Sequence, residues 1–229
     1  MQNPEPDFSA IGMILVALLI VTEPGSIRTQ GLMSSYGHKE LVLPYSSSHL
    51  KNAAVQMCEL LLTYVEGSGR RFSAGEKIGW ASSVVQLREE GDMLVGYGLD
   101  VASDEFNRGI DNVLSMWMDQ RAMCDLNGSE YVATNLADMI VVSPDLLTDD
   151  GEVVEAIRYP FRNPNAGWWM FGKLYSGDVT SLKRIHAGHI VQRYEHVLSY
   201  LALKPGYCFR LSDDLAVWFD DEVSGEEPI

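Results

Sequence analysis

Apolar residues fall along this chain in two rhythms, and the places where one gives way to the other mark its elements. The first is a solid run, Ile11–Val21 (IGMILVALLIV), eleven residues without a polar side chain. A membrane span needs about 20 such residues. The flank before the run carries Glu5 and Asp7 and no Lys or Arg, so it lacks the cationic start of a secretory leader. The run is predicted to be a strand buried on both faces and stopped by Pro24-Gly25. Glu40–Leu43 is a second strand, ended by Pro44. The rhythm then changes. Leu50, Ala53, Ala54, Met57, Cys58, Leu61, Leu62 and Val65 recur at the three-and-four spacing of one helix face. They predict a helix that starts from Ser46–Ser48 and closes before Gly67 and Gly69. Val84–Leu87 and Met93–Val101 follow as a hairpin around the charged Arg88–Asp92 turn. Asp104 is expected to cap a helix to about Met123, with Phe106, Ile110, Val113, Leu114 and Trp117 inward.

The polar stretch Asp125–Glu130 is the expected boundary, giving a domain of residues 1–127 and another of 128–229. Beyond it Met139–Val142 is a short strand, Thr148–Gly151 an acidic turn, and Val153–Tyr159 a strand pairing back as a hairpin. Pro160–Pro164 interrupts before the aromatic strand Gly167–Phe171. Ser181–Leu203 is mostly helical and broken at Gly188, and Pro205-Gly206 turns into a closing hairpin of Tyr207–Leu211 with Leu215–Phe219. The whole reads as an α+β protein of two subdomains, each a small, mostly antiparallel sheet packed with helices. In the aromatic strand Trp168 and Met170 face one way, Trp169 and Phe171 the other. With one face on the core, the opposite face offers a large aromatic to a partner, and tryptophan is the residue most enriched at binding hot spots.

Charge narrows the partner. The chain has 229 residues, with 17 Lys and Arg against 32 Asp and Glu, a formal −15. Phosphate binding requires clustered cations, so this balance argues against nucleic acid or an anionic membrane. The deficit is also uneven. Between Arg121 and Arg158 there are eight acids and no cation, and after Arg210 seven acids and again no cation. Asp149, Asp150, Glu152, Asp213 and Asp214 fall in predicted turns within these stretches and are candidates, with Trp169, for contact with a basic partner. Three cysteines, Cys58, Cys124 and Cys208, are odd in number and never form CxxC, which suits buried free thiols in the cytoplasm.

Catalytic motifs are sparse. His186, His189 and His196 are spaced to share a helix face, the basis of an alternative reading as a metal-dependent hydrolase. Against it, Gly188 interrupts that helix and no Glu accompanies the pair as in H-E-x-x-H. The chain has no G-x-S-x-G elbow, no S-x-x-K run and no glycine-rich strand-to-helix loop for phosphates. No cofactor and no catalytic residue is therefore expected.

The residues from Asp138 to Val223 resemble the bacterial Immunity protein 33 family. The likeness rests on the strand Met139–Ser143, the turn Asp150-Gly151-Glu152, the strand Ala156–Tyr159, and the motif from Asn163 to Phe171 with its Gly167-Trp168. Lys204-Pro205-Gly206 and the pair within Tyr207–Phe219 complete it. Trp169 and Met170 depart from the charged and aromatic residues usual there. The first half is similar to uncharacterised domains found beside bacterial toxin systems, on Thr29-Gln30-Gly31-Leu32, Tyr36-Gly37, Glu40-Leu41 and the stretch Gly75 to Trp80. Together the resemblances imply a non-enzymatic, cytoplasmic immunity protein that occludes an antibacterial toxin. With the acidic surface, they imply a basic partner such as a nuclease delivered by a type VI or similar secretion system. A homodimer, or a regulatory subunit acting on a normal cellular protein, remains open at this level.

Overall fold

The computed structural model of the chain describes residues 19–148, 152–162, 164–212 and 214–226. The first sheet is built from β1 (Leu19–Glu23), β2 (Ser26–Gln30), β3 (Glu40–Pro44), β4 (Lys77–Trp80), β5 (Ser83–Glu90), β6 (Met93–Asp100) and β7 (Glu105–Arg108). Its order is β1-β2-β3-β6-β5-β4, with β7 also on β6. The β3–β6 pair is parallel and the others antiparallel. Short α1 (Leu32–Tyr36) links β2 to β3, and α2 (Lys51–Ser68) packs Ala54, Met57, Cys58 and Leu61 on Ile27, Leu41, Leu43 and Leu87. Then α3 (Asp111–Leu126) adds Val113 and Leu114 to the same core. It comes close because Gly96 and Gly98 present no side chains. A Cβ at Gly98 would lie 3.0 Å from the Gly109 carbonyl oxygen.

Four expectations for this half need correction. The helix expected from Asp104 is instead a strand followed by a helix. β3 pairs β6 only at Glu40–Val42 against Met93–Val95, so the far end of β6 has open backbone groups, which β7 satisfies from Tyr97 to Asp100. Gly109, at φ 105, then separates β7 from α3, and Phe106 is a half-buried strand residue. Second, Arg88–Glu90 belong to β5, and the hairpin turns on Gly91-Asp92 alone, with Gly91 at φ 65. Third, the described end of the apolar run is not buried on both faces. β1 is an edge strand whose Leu19 is 51% exposed. Residues 11–18 of that run lie outside the described residues. α2 also runs through Gly67, and Gly69 caps it.

The second sheet contains β8 (Met139–Val142), β9 (Val153–Arg158), β10 (Asn165–Gly172), β11 (Lys183–His186), β12 (Tyr207–Arg210) and β13 (Ala216–Phe219), in the order β11-β8-β10-β9-β12-β13. The closing hairpin falls where the pattern placed it. The first hairpin does not form. A 3-10 turn, Pro144–Leu147, carries the chain off β8 and buries Leu146, and β10 inserts between β8 and β9, parallel to the first and antiparallel to the second. Nor is Ser181–Leu203 mostly helical from its start. Lys183–His186 pairs with the open edge of β8, and α4 (Ala187–Arg193) begins after it, with Gly188 as its second residue. The break falls at Tyr194, before a 3-10 stretch, Glu195–Tyr200, and short α5 (Asp221–Ser224) follows β13.

The second core sets Ile140, Val142, Ala156, Trp168, Met170 and Phe209 against Ile190, Val191, Val197 and Leu201. Gly167 stands where β10 shifts register against β8. Its φ is +80 and an added Cβ would lie 2.1 Å from the Tyr159 carbonyl oxygen, so the glycine of the Gly-Trp motif is a requirement of this bulge. Arg158 is fully buried. Its guanidinium donates to the carbonyls of Val132 at 2.8 Å, Leu201 at 3.2 Å, Ala166 at 3.2 Å and Leu203.

The two halves of this α+β protein meet along α3. Its Gln120 exchanges hydrogen bonds with Ser82 of the first half, accepts from Tyr131 at 2.8 Å and donates to the Leu198 carbonyl at 2.9 Å.

Candidate binding surface

The pleat of β10 sorts its aromatic run onto two faces. Trp168 and Met170 are fully buried, while Trp169 and Phe171 are half-buried on the outward side. Register then extends the outward side across the sheet, because directly paired residues share a face. Trp169 lies opposite Val141 of β8 and Ile157 of β9, Ile157 opposite Cys208 of β12, and Cys208 opposite Trp218 of β13. Tyr159 meets Trp169 edge-to-face with ring centroids 5.6 Å apart, and Tyr175 folds back to stack on Phe171 at 4.8 Å. In the next row Arg210 pairs with Glu155 at 3.5 Å and lies over the Trp218 ring at 5.6 Å. These outward residues belong to neither hydrophobic core.

The acidic candidates sit at one end of this sheet. Glu152 precedes β9 and is exposed; Asp214 precedes β13 and is exposed. The two loops are neighbours because β12 ends between them, with the Leu211 N–H donating to the Val154 carbonyl at 2.9 Å. Asp149, Asp150 and Asp213 lie outside the described residues. Trp169 is placed apart from Glu152 and Asp214, in the middle of the outward face. At the acidic end three apolar side chains are also exposed: Leu147 by 39%, Leu174 by 76% and Leu215 by 66%.

Ile157, Tyr159 and Trp218 were not singled out from the sequence. The period of two in residues 153–159 and 216–219 could have flagged them, but only the strand order places them beside Trp169.

The three histidines do not share a helix face. His186 ends β11, with its Nδ1 2.7 Å from the Ala137 carbonyl; His189 is in α4, with its ring 5.9 Å from that of His186; His196 is in the 3-10 stretch. Among the described residues no three His, Cys, Asp or Glu side chains are grouped to hold a metal. His196 lines a cleft of about 480 Å³ between the halves, with Asp100, Asp119 and Glu195. All three thiols are buried. Burial pushes Cys58 and Cys208 up to about 12, and the carboxylates of Glu59 and of Asp220 and Glu155 add to it. Such thiols stay protonated at neutral pH and are poor nucleophiles. No helix among the described residues is long and apolar enough to cross a membrane.

Residues 119–220, in the C-terminal part of the chain, match the family model of the Imm33-like domain. The match opens inside α3 and closes one residue past β13. The chain matches no curated protein and no solved structure.

Proposed function

We propose that this chain is an immunity protein, which neutralises a cognate antibacterial toxin by binding it in the cytoplasm of the producing cell. The observation that carries the reading is the Imm33-like domain over residues 119–220. In this reading the protein performs no reaction and needs no cofactor. Contact runs through Glu152 and Asp214, the neighbouring Asp149, Asp150 and Asp213, and Trp169. The acidity of these segments favours a toxin with a cationic face, as a nuclease presents to its phosphate-rich substrate. Delivery by a type VI or related secretion system belongs to the same proposal.

The test is co-expression with the protein encoded beside it. Cells producing that protein alone should stop growing, cells producing both should grow, and the two should co-purify as a complex. Growth arrest despite abundant, folded chain, or separate elution of the two proteins, would overturn the reading.

A further inference from the structure

Resting on that immunity reading, we infer that the outward face of the second sheet is the contact surface, and that the toxin meets it with an apolar projection flanked by Lys or Arg. A mostly antiparallel sheet with one solvated side normally turns polar there. This one does not. Its inner face is covered by α4 and the Glu195–Tyr200 stretch, yet the outer face carries Val141, Trp169, Ile157 and Trp218 in one row that crosses five strands. Cys208, in the same row, is 2% exposed, so the centre of the patch is already dry. Among the described residues the helices that pack on this sheet lie on the other side, and α5 sits at the corner beside Gly206.

The chemistry of the patch is that of a binding centre. Trp, Tyr and Arg are the residues most enriched at hot spots, and Trp169, Tyr159, Trp218 and Arg210 supply all three. The strands that hold them are hydrogen-bonded to neighbours on both sides or, at β13, on one, so little ordering remains to be done on association.

Charge identifies the partner's rim. Along the β13 edge stand four acids, Asp220, Asp221, Glu222 and Glu226, against Lys204, which lies over the Phe219 ring at 5.4 Å, and Arg210 is engaged by Glu155. Glu152 and Asp214 close the adjoining end. Two sides of the aromatic patch are therefore anionic, while at the β11 side the exposed Arg184 stands opposite Val141, so the partner's Lys or Arg face the β13 edge and the adjoining loop end.

The test uses the full-length chain and, as probe, the toxin encoded beside it, in an inactivated form. Binding is measured by calorimetry and by association kinetics for wild type, Trp169→Ala, Trp218→Ala, Asp221→Lys with Glu222→Lys, and Leu60→Ser. Each variant's fold is checked by circular dichroism and its melting midpoint. Trp169→Ala or Trp218→Ala should weaken binding roughly thirty-fold or more. The double reversal, on exposed α5, leaves packing untouched and should slow association several-fold at low salt. Leu60→Ser, on the first half, should bind as wild type.

Wild-type affinity in both tryptophan variants and in the reversal overturns the surface while the immunity reading stands. Failure of the wild type itself to bind overturns both. A wild-type dimer that the tryptophan variants dissociate, with toxin affinity unchanged, assigns the face to a second copy and overturns the inference. So does a Leu15→Asp variant that opens the tryptophans to acrylamide quenching without altering affinity, which assigns it to the chain's own residues 1–18.

Discussion

Arg158 carries the second half in a single side chain. Burial pushes its guanidinium down, to about 9, so it remains charged at neutral pH, and its hydrogen bonds go to main-chain carbonyls. Arg158→Met would remove the guanidinium donor from the Ala166, Val132 and Leu203 carbonyls, while Leu201 keeps Thr134 and Trp168, and should destabilise the protein by about 3–5 kcal/mol, read as a lower urea midpoint. Arg158→Lys should recover little of this, since an ammonium cannot reproduce the planar fork. The thiols give a second expectation at this scale. The folded-state values of Cys58 and Cys208 lie above the ordinary 9.0, at about 12. Their contribution to stability is then fully present below pH 9 and falls as pH rises toward 12, because the unfolded chain loses those protons first. A thiol reagent at pH 8 should label these cysteines only as fast as the protein opens, and in urea the rate should rise with the unfolded fraction.

Among the elements, β10 shows how a sequence motif is forced by its neighbours. Gly167→Ala brings a methyl onto the Tyr159 carbonyl at a backbone angle that L residues rarely adopt, and should cost more than about 2 kcal/mol in an unfolding titration. At the acidic end the expectation is opposite in kind. Reversing Glu152 and Asp214 together should change stability by no more than about 0.5 kcal/mol while slowing association with the proposed toxin partner. Added salt should slow it too, as the screening length falls from roughly 10 Å at 0.1 M to about 3 Å at 1 M.

The elements that were legible in the sequence are those whose reason is local. α2 has its helical stripe, and the β5–β6 and β12–β13 pairs have their turns. β7 and β11 escaped because each satisfies an edge left open by the pairing of other strands, at the end of β6 that β3 does not reach and along β8, and nothing in residues 105–108 or 183–186 records that need. The candidate surface divides the same way. The two faces of Trp168 and Trp169 follow from the pleat, whereas Ile157 and Trp218 join Trp169 only through the register of β9 and β12.

At the scale of the molecule, α3 belongs to both halves. Val113 and Leu114 lie in the first core and Cys124 in the second, with Gln120 bonded to each side between them. The division proposed between residues 127 and 128 leaves this helix wholly with the first part. Unfolding of the intact chain should therefore follow one cooperative transition, with tryptophan fluorescence and far-ultraviolet circular dichroism coincident. Gln120→Ala, which unpairs Ser82, Tyr131 and the Leu198 carbonyl, should lower the midpoint and separate the two signals.

The shared helix also bears on how such chains can be reassembled over generations. The Imm33-like match opens at residue 119, so a recombination breakpoint drawn at that edge passes through the middle of α3. A C-terminal module moved to a new host would bring the turns that carry Gln120 and Cys124 and inherit the turns that carry Val113 and Leu114. The graft succeeds only where the host's helix phase continues the donor's, since a slip of one residue rotates the remaining side chains by about 100°. Lineages that exchange this module should therefore vary freely in the loops at the acidic end, yet keep the length of the helix across residues 111–126 constant.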